Sequence, residues 1–577
     1  MKMINLFGSI CLFLLSSCTD SIDYSKFIGE VKPEEPLIQE ALKTYTWPVE
    51  GGQAKLSEHY QVFVTLEGGE EKEIQVLQSD PIVQKLNTNG TMGEDYQAAY
   101  TKQRSFSFVN VSYDPAQGKK LTFRVKSLSC SSDGVELAPK SYGLSADSNG
   151  EEAFFMVDKA NRYIIVNFDC PENIIDYPVP GPDGVTNHYN WIKNMLCIFV
   201  DPVEKPIADL SMKKVAYFTP QVTAEQLKTA DVIYFRPGYY NLKGMNLPGA
   251  IEPIGRLLMQ NNQQIYIEGG AFVEGVIGRV NYGDTNQGVR GRGILTGRQY
   301  MWEPGNNNRK IANLINAGNH ATFEGIMCME SPHHGIVPTN DCLFENVKFL
   351  GWHCNNDGFR PGNNTKIRNC FIRAYDDFFY NYALDIQNCV LWPGFNGSIM
   401  TYGWQHYDIG GSTMEDIDIV YPEWKGMGNN CGLIMSQNEF RFEAKGRTVL
   451  RNIRIEGPVP GFVNLKPNSN YDDPETVEAN PGKYGPVPAA ELGFLGDLLM
   501  ENIEVHSQVG EKARGMKTNL LKGARGEHVV ANNPNAVWWV RDVTFKNVTI
   551  NGVKLTEMNK DEYFNIDPET TQNILFE

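Results

Sequence analysis

Two short stretches of this sequence gather carboxylates where a turn would present them: Cys354-Asn-Asn-Asp-Gly358 and Ala374-Tyr-Asp-Asp-Phe378. Asp357 lies 19 residues before Asp376 and 20 before Asp377. If one coil of a repeat separates them, the three side chains meet. Like charges within a few ångströms raise one another's pKa, and that repulsion suits acetal hydrolysis. One carboxyl must stay protonated to give a proton to the leaving oxygen, while another stays ionised to activate water. The alternative is that Asp-Gly and Asp-Asp are turn residues or a calcium site, and spacing alone does not separate the two readings. The neighbourhood favours the chemistry. Trp352, Tyr375, Phe378, Phe379, Tyr380, Trp392, Tyr402 and Trp404 cluster around the aspartates, and aromatic faces are platforms for sugar rings, although about half of such residues are ordinary core.

The element that must position these residues is a repeat. Segments such as Phe344-Glu-Asn-Val-Lys-Phe349, Ile367-Arg-Asn-Cys-Phe-Ile372 and Leu450-Arg-Asn-Ile-Arg-Ile455 share one form: apolar, polar, Asn-like, apolar, any, apolar. The fourth and sixth positions alternate as an inward-facing strand should. The third position, held by Gly325, Asn346, Asn369, Asn388, Asp416, Asn452, Asn502 and Asn547, suits a sharp corner, because Asn, Asp and Gly tolerate left-handed backbone. The first steps between these positions are 21, 23 and 19 residues, the later ones 28, 36, 50 and 45. Short steps fit single coils of a parallel β-helix, whose coils stack about 4.8 Å apart. The longer steps predict long loops or extra coils. Cys370 and Cys389 fill the slot that Ile or Val fills elsewhere and read as buried small apolar residues.

Upstream, Gln264–Gly275 and Val289–Gly297 read as opening coils punctuated by glycine turns, so the solenoid should begin near residue 210. Before it, alternating runs such as Tyr60–Leu66, Leu121–Val125 and Tyr163–Phe168 predict a β-sandwich. The expected architecture is therefore all-β: an N-terminal β-sandwich over 41–205, then a right-handed parallel β-helix over 206–577.

The N-terminus reads as an export signal over residues 1–17, with Lys2, an apolar run from Ile4 to Leu15, and Leu15-Ser16-Ser17-Cys18, which resembles a bacterial lipobox. Cys18 would then carry a lipid, residues 18–40 would form a tether, and the mature protein would be anchored to the bacterial envelope without spanning a membrane. The expected location is the outer membrane, on its periplasmic or cell-surface face. No later stretch approaches the roughly 18 consecutive apolar residues of a membrane span. A formal charge of -17 argues against nucleic acid as a partner and makes a neutral glycan a more natural substrate than a polyanionic one. Nine cysteines remain beyond Cys11 and Cys18, without disulfide-framework spacing, and no C-x-x-C pair suggests zinc. No metal or other cofactor is expected, and a monomer is.

At this point the residues carry a family resemblance. Asn356-Asp357-Gly358 followed one coil later by Asp376-Asp377 resembles the pattern of the β-helical glycoside hydrolases of families 28 and 49. Tyr266–Gly275, Gly293–Tyr300, Met400-Thr-Tyr-Gly-Trp404 and Asp408-Ile-Gly410 are similar to core segments of family 49, the dextranases and isopullulanase. A β-sandwich ahead of a β-helix is that family's layout. The resemblance implies an inverting mechanism on α-glucosidic bonds of a dextran-like glucan, with Asp376 as general acid and Asp357 and Asp377 handling the attacking water. Substrate contacts are expected from Tyr300, Trp302, Asn356, Tyr402, Trp404, His406 and Lys466, while His333 and His334 could line the cleft two coils up. The Gly-His-Gly of family 28 polygalacturonases and the Arg-x-Lys that follows it are missing after the aspartates, and Arg298 stands where dextranases usually have an acidic residue. Competing expectations are a polygalacturonase-like hydrolase, a polysaccharide lyase, and a non-catalytic glycan-binding surface protein on the same solenoid.

Overall fold

The computed structural model describes residues 40–577 apart from 88–90, 95–97, 133, 181–185, 205–209, 211–212, 303–312, 403–409, 425–430, 437–445, 467–492, 509–518, 527–528 and 531. Cys18 and the leader therefore lie outside the described residues.

Two sheets make the N-terminal sandwich. One runs Leu42–Thr44, Ser105–Tyr113, Asn194–Pro202, Arg162–Phe168 and Val135–Ala138; the other runs Asp147–Ser148, Glu152–Val157, Leu121–Ser127, Tyr60–Leu66 and Glu71–Ile74. Leu121–Ser127 alternates buried and half-buried residues along its length, as a strand with one solvated face must. Ser105–Tyr113 is buried throughout, because its sheet is covered on both sides. Val62, Val64, Phe123, Phe155, Val109 and Ile198 fill the space between the sheets. The sequence shows no disulfide framework, yet one bridge is present, Cys130–Cys170 with Cα atoms 6.3 Å apart. Forty residues separate the pair in sequence, so folding rather than motif spacing brings them together.

The rest is a right-handed parallel β-helix. Its first face stacks Gln264–Ile267, Gly288–Gly291, Thr322–Glu324, Leu343–Glu345 and Lys366–Arg368 in parallel register, and its second face stacks Ala271–Glu274, Ile294–Thr296, Met327–Met329, Lys348–Leu350 and Phe371–Ala374. Between the faces sits the repeated third position, and all eight residues predicted there have positive φ, from 51° at Asn547 to 81° at Gly325. Their side chains also bond along the stack: Asn502 donates to Asn452 at 2.9 Å and Asn547 to Asn502 at 2.7 Å. From Asp385 onward each coil runs one bent strand through this corner, as in Asp385–Pro393 and Thr448–Val459. These strands pair directly, Ile386 with Met414, Met414 with Leu450, Leu450 with Met500 and Met500 with Phe545. The long sequence steps are therefore single coils carrying insertions, not extra coils. Cys370 and Cys389 are free and lie in the apolar interior.

A third face closes each coil. It stacks Arg256–Met259, Val276–Arg279, Asn313–Asn316 and His334–Val337, and resumes with Phe379–Tyr380, Met400–Tyr402, Ile434–Ser436 and Val463–Leu465. Between the two runs the described ladder shrinks to one bridge, Ile336 with Phe359. The corner between second and third faces at this break holds the aspartates.

The sandwich packs on the outside of the second face. Phe106, Phe108, Tyr163 and Phe199 meet Met327, Leu350, Phe371 and Trp392 in one buried cluster, and each large apolar side chain removed from water there contributes roughly 1.5–3 kcal/mol.

Candidate active site

Asp357, Asp376 and Asp377 are brought together, and all three are buried. Asp357 ends a tight corner after Lys348–Leu350, and the next coil delivers Asp376-Asp377 directly after Phe371–Ala374. Tyr380, at the start of the third face, donates its hydroxyl to Oδ2 of Asp357 and Oδ2 of Asp377, each at 3.1 Å. Burial, then the charges of Asp357 and Asp377, push this hydroxyl far above the ordinary tyrosine range, so it remains a proton donor. It has one proton for two carboxylates.

Asp357 has further partners. His334 Nδ1 lies 2.9 Å from its Oδ1, and Arg360 lies 3.7 Å from its Oδ2. Arg360 also donates to His334 Nε2 at 2.7 Å. Nδ1 faces both the Asp357 carboxylate and the Asn355 carbonyl, which lies 3.2 Å away. Burial alone would raise the Asp357 carboxyl; His334, then Arg360 and the Tyr380 hydroxyl, overcome this and hold it below the usual aspartate value. Asp357 is thus kept ionised. The Arg360 guanidinium lies 4.8 Å from the Tyr380 ring centre, which fixes both groups.

Asp376 is held by backbone N–H groups, and Asp377 by backbone and side-chain groups of the next coil. Asp376 Oδ2 accepts from the Asn355 N–H at 2.9 Å, and its Oδ1 from the Asp377 N–H at 3.0 Å. Asp377 Oδ1 accepts from Thr401 Oγ1 at 3.1 Å and Ser398 N at 3.3 Å, so the next coil supports it from the other side. That coil approaches closely because residue 397 is glycine: at φ +98°, a Cβ there would lie 2.1 Å from the Asp376 carbonyl carbon. Three carboxylates on one corner, one held ionised and two oriented by adjacent coils, can divide proton donation from water activation.

The expected substrate contacts fare differently. Asn356 is buried with its amide consumed by the corner itself: Oδ1 accepts from Trp352 N at 2.7 Å, and Nδ2 donates to Ser331 O and His333 O. It shapes the turn instead of meeting a sugar. Tyr300 and Tyr402 are also corrected, since both lie in the solenoid core and their hydroxyls bond to Ile254 O and Gly496 O. Along a strand the side chains alternate between interior and exterior, and Tyr402 falls on the interior parity with Met400. Trp302 is buried, stacks on His353 with ring centres 5.0 Å apart, and has Lys85 Nζ 4.9 Å from its ring centre. Its Nε1 donates to Asn355 Oδ1 at 3.2 Å, so it braces the residue that holds Asp376. Lys466 follows the third-face strand Val463–Leu465 and is half-buried. Trp404 and His406 lie outside the described residues. Arg298 pairs with Glu274 and with the sandwich backbone at Gln53. His334 lies one coil above Asp357 and two above Asp376-Asp377, as the Ile336–Phe359 bridge requires, and His333 beside it is buried.

Arg360, Asn355 and Tyr380 carry roles that the sequence did not assign. For Tyr380 and Arg360 a signal existed: each directly follows a third-face residue, Phe379 and Phe359. For Asn355 none did, because its contribution is a backbone N–H.

No protein-family model matches the chain. A dextranase of Arthrobacter globiformis is 26% identical over 270 residues, covering 41% of this chain and 41% of its own length. An isopullulanase of Aspergillus niger is 22% identical over 325 residues, covering 49% of this chain and 56% of its own. The chain thus spans about half or less of the curated relatives it matches. Among solved structures, Dex49A from Penicillium minioluteum superposes with a TM-score of 0.69 at 16% identity, over 92% of this chain and 96% of that one. The chain is similar to dextranases and an isopullulanase, and it has the fold of Dex49A.

Proposed function

We propose that this protein is a glycoside hydrolase that cleaves α-glucosidic bonds of a neutral polysaccharide, a dextran-like α-1,6-glucan first, with inversion of configuration. The observation that carries this reading is the convergence of Asp357, Asp376 and Asp377 on one corner, with Asp357 and Asp377 sharing the Tyr380 hydroxyl. Asp376 protonates the glycosidic oxygen as the bond from C1 to that oxygen breaks. Water attacks C1 from the opposite face and loses a proton to the Asp357/Asp377 pair, and an α-linkage yields a β-anomer. Asp357, held ionised by its partners, orients the water, and Asp377 is placed to take its proton. The dextranase and isopullulanase names of the relatives support an α-glucan as the substrate class. The lipobox-like Cys18 supports export and lipid anchoring, and the Cys130–Cys170 bridge suits the oxidising compartment that export implies.

The test is a panel of α-1,6-, α-1,4- and α-1,3-glucans with pectic and galactan polymers, followed by NMR of the first-formed anomer. A lyase would instead give an ultraviolet-absorbing unsaturated product, and a glycan-binding protein would bind without cleaving. Asp376→Asn should lower kcat by about 10²–10⁴-fold, the usual contribution of a general acid, while glucan binding persists. A fully active Asp376→Asn enzyme would overturn the assignment.

A further inference from the structure

On the sandwich side of the Asp376-Asp377 turn lies a charged cluster that the proposed reaction does not use. Arg104, which precedes the sandwich strand Ser105–Tyr113, spans the Glu423 carboxylate with its two terminal guanidinium nitrogens, at 2.9 and 2.7 Å. The same Arg104 donates to the Tyr375 hydroxyl at 2.9 Å, and its Nε is fixed by Ile192 O at 3.0 Å. Arg373 adds donations to the Tyr375 hydroxyl at 2.9 Å and to Glu423 at 3.3 Å, and Trp392 Nε1 donates to Glu423 at 3.2 Å. The side chains of Arg104, Arg373 and Glu423 are at most 2% exposed. Two cations against one carboxylate in such a place are costly to desolvate, and apolar side chains of similar volume often stabilise as well or better. A cluster of this kind is better suited to fixing a geometry than to adding stability.

The geometry it fixes is that of the catalytic corner. Tyr375 immediately precedes Asp376, and its backbone N–H donates to the carbonyl of Asn356, the residue before Asp357, at 3.3 Å. Holding the Tyr375 ring therefore sets both aspartate turns relative to each other. A cavity of about 60 Å³ beside the cluster, lined in part by Trp191, Trp392, Tyr421 and Glu423, leaves room for side chains there to change without overpacking.

We propose that Arg104 of the sandwich is a positioning residue for the three aspartates, acting through Tyr375 and Glu423, so that the catalytic unit comprises both domains. This rests on the hydrolase reading above. The test compares full-length Arg104→Met, Arg104→Lys and Tyr375→Phe with wild type, measuring kcat and KM on the glucan that wild type cleaves. Misplacing reacting groups by 1 Å can cost about 10²-fold, so Arg104→Met should lose about 10- to 100-fold in kcat with KM nearly unchanged. Arg104→Lys should recover part of the loss, because it restores the charge but not the fork. A folded Arg104→Met enzyme with wild-type kcat overturns the proposal. If Arg104→Met does not fold, Tyr375→Phe, which removes a single hydroxyl, decides: reduced kcat at unchanged KM supports the proposal, and full kcat overturns it. If wild type cleaves none of the polymers, the hydrolase reading falls by itself. Crystal structures of wild type and Tyr375→Phe then carry the positioning test, with a displaced Asp376 turn supporting it and a superposable one overturning it.

Discussion

A phenol has one proton to donate, and Tyr380 places it between two carboxylates. Asp357 and Asp377 cannot both receive it at once, so whichever lacks it depends on its other partners. Asp357 has His334 and Arg360, and Asp377 has Thr401 and Ser398. The pH dependence follows from the Asp357 side. Its folded pKa lies below the ordinary value because His334, Arg360 and Tyr380 outweigh burial. The carboxylate therefore stays ionised through mildly acidic pH, and the advantage is lost as pH falls through the folded value. Arg360→Met removes one of these partners, and the acidic limb of kcat/KM against pH should move to higher pH. Tyr380→Phe should move it the same way and also lower kcat about tenfold or more, since a hydrogen bond to a charged group contributes roughly 1.5–3 kcal/mol. An acidic limb unmoved in both variants would mean that Asp357 does not need to be ionised for turnover. The aspartates were legible in sequence because they recur at coil spacing. The companions were less so, because an aromatic such as Tyr402 has the same letter whether it faces the core or a sugar.

At the scale of the coil, the sequence was legible wherever backbone conformation demands a particular residue. The left-handed corner between first and second faces excludes β-branched side chains, so Asn, Asp or Gly recurs there and the register of the whole helix can be read from it. The corner between second and third faces has no such rule, which is why the break in the third face was not foreseen, while the insertions showed only as longer steps between corners. One position there is as constrained. Gly397 has φ +98°, and a Cβ would press into the Asp376 carbonyl group. Gly397→Ala must either twist its own backbone out of a conformation that only glycine adopts readily or push the Asp376 turn toward the cleft. The expected outcome is a fall in kcat of about 10²-fold, the cost of roughly 1 Å of misplacement, with a lower Tm. Wild-type turnover in Gly397→Ala would show that the turn tolerates displacement.

At the scale of the molecule, the seam between sandwich and helix buries carboxyls as well as apolar rings. Glu330 accepts from Ser79 Oγ at 2.9 Å, and Glu456 accepts from the Lys140 N–H at 2.6 Å. Burial raises both, Glu330 above its usual value and Glu456 to about 7, where the charge of Asp418 also contributes against the Lys140 hydrogen bond. No sequence pattern announced this, because each pair joins residues more than 200 positions apart. A folded pKa above the unfolded one means that the folded state binds more protons. Stability is therefore fully present below about 4.5, the unfolded value, and declines as pH rises towards about 7. One pKa unit corresponds to about 1.4 kcal/mol, so the rise of Glu456 from 4.5 to about 7 should by itself account for a loss of about 3 kcal/mol across that window. Asp357 and Glu423, whose values are lowered, act in the opposite sense but at lower pH, as their carboxylates protonate, while His353, which burial lowers to about 4, acts in the opposite sense within the window. Thermal melts of the full chain between pH 4.5 and 7.5 therefore compare wild type with Glu456→Gln, since His353 and Glu456 oppose each other in the wild-type slope. Glu456→Gln, which keeps an acceptor for the Lys140 N–H without a charge, should gain Tm relative to wild type as pH rises towards about 7, because the loss at Glu456 is removed. A Tm difference between Glu456→Gln and wild type that does not grow with pH over this range would place the pH sensitivity elsewhere than at Glu456.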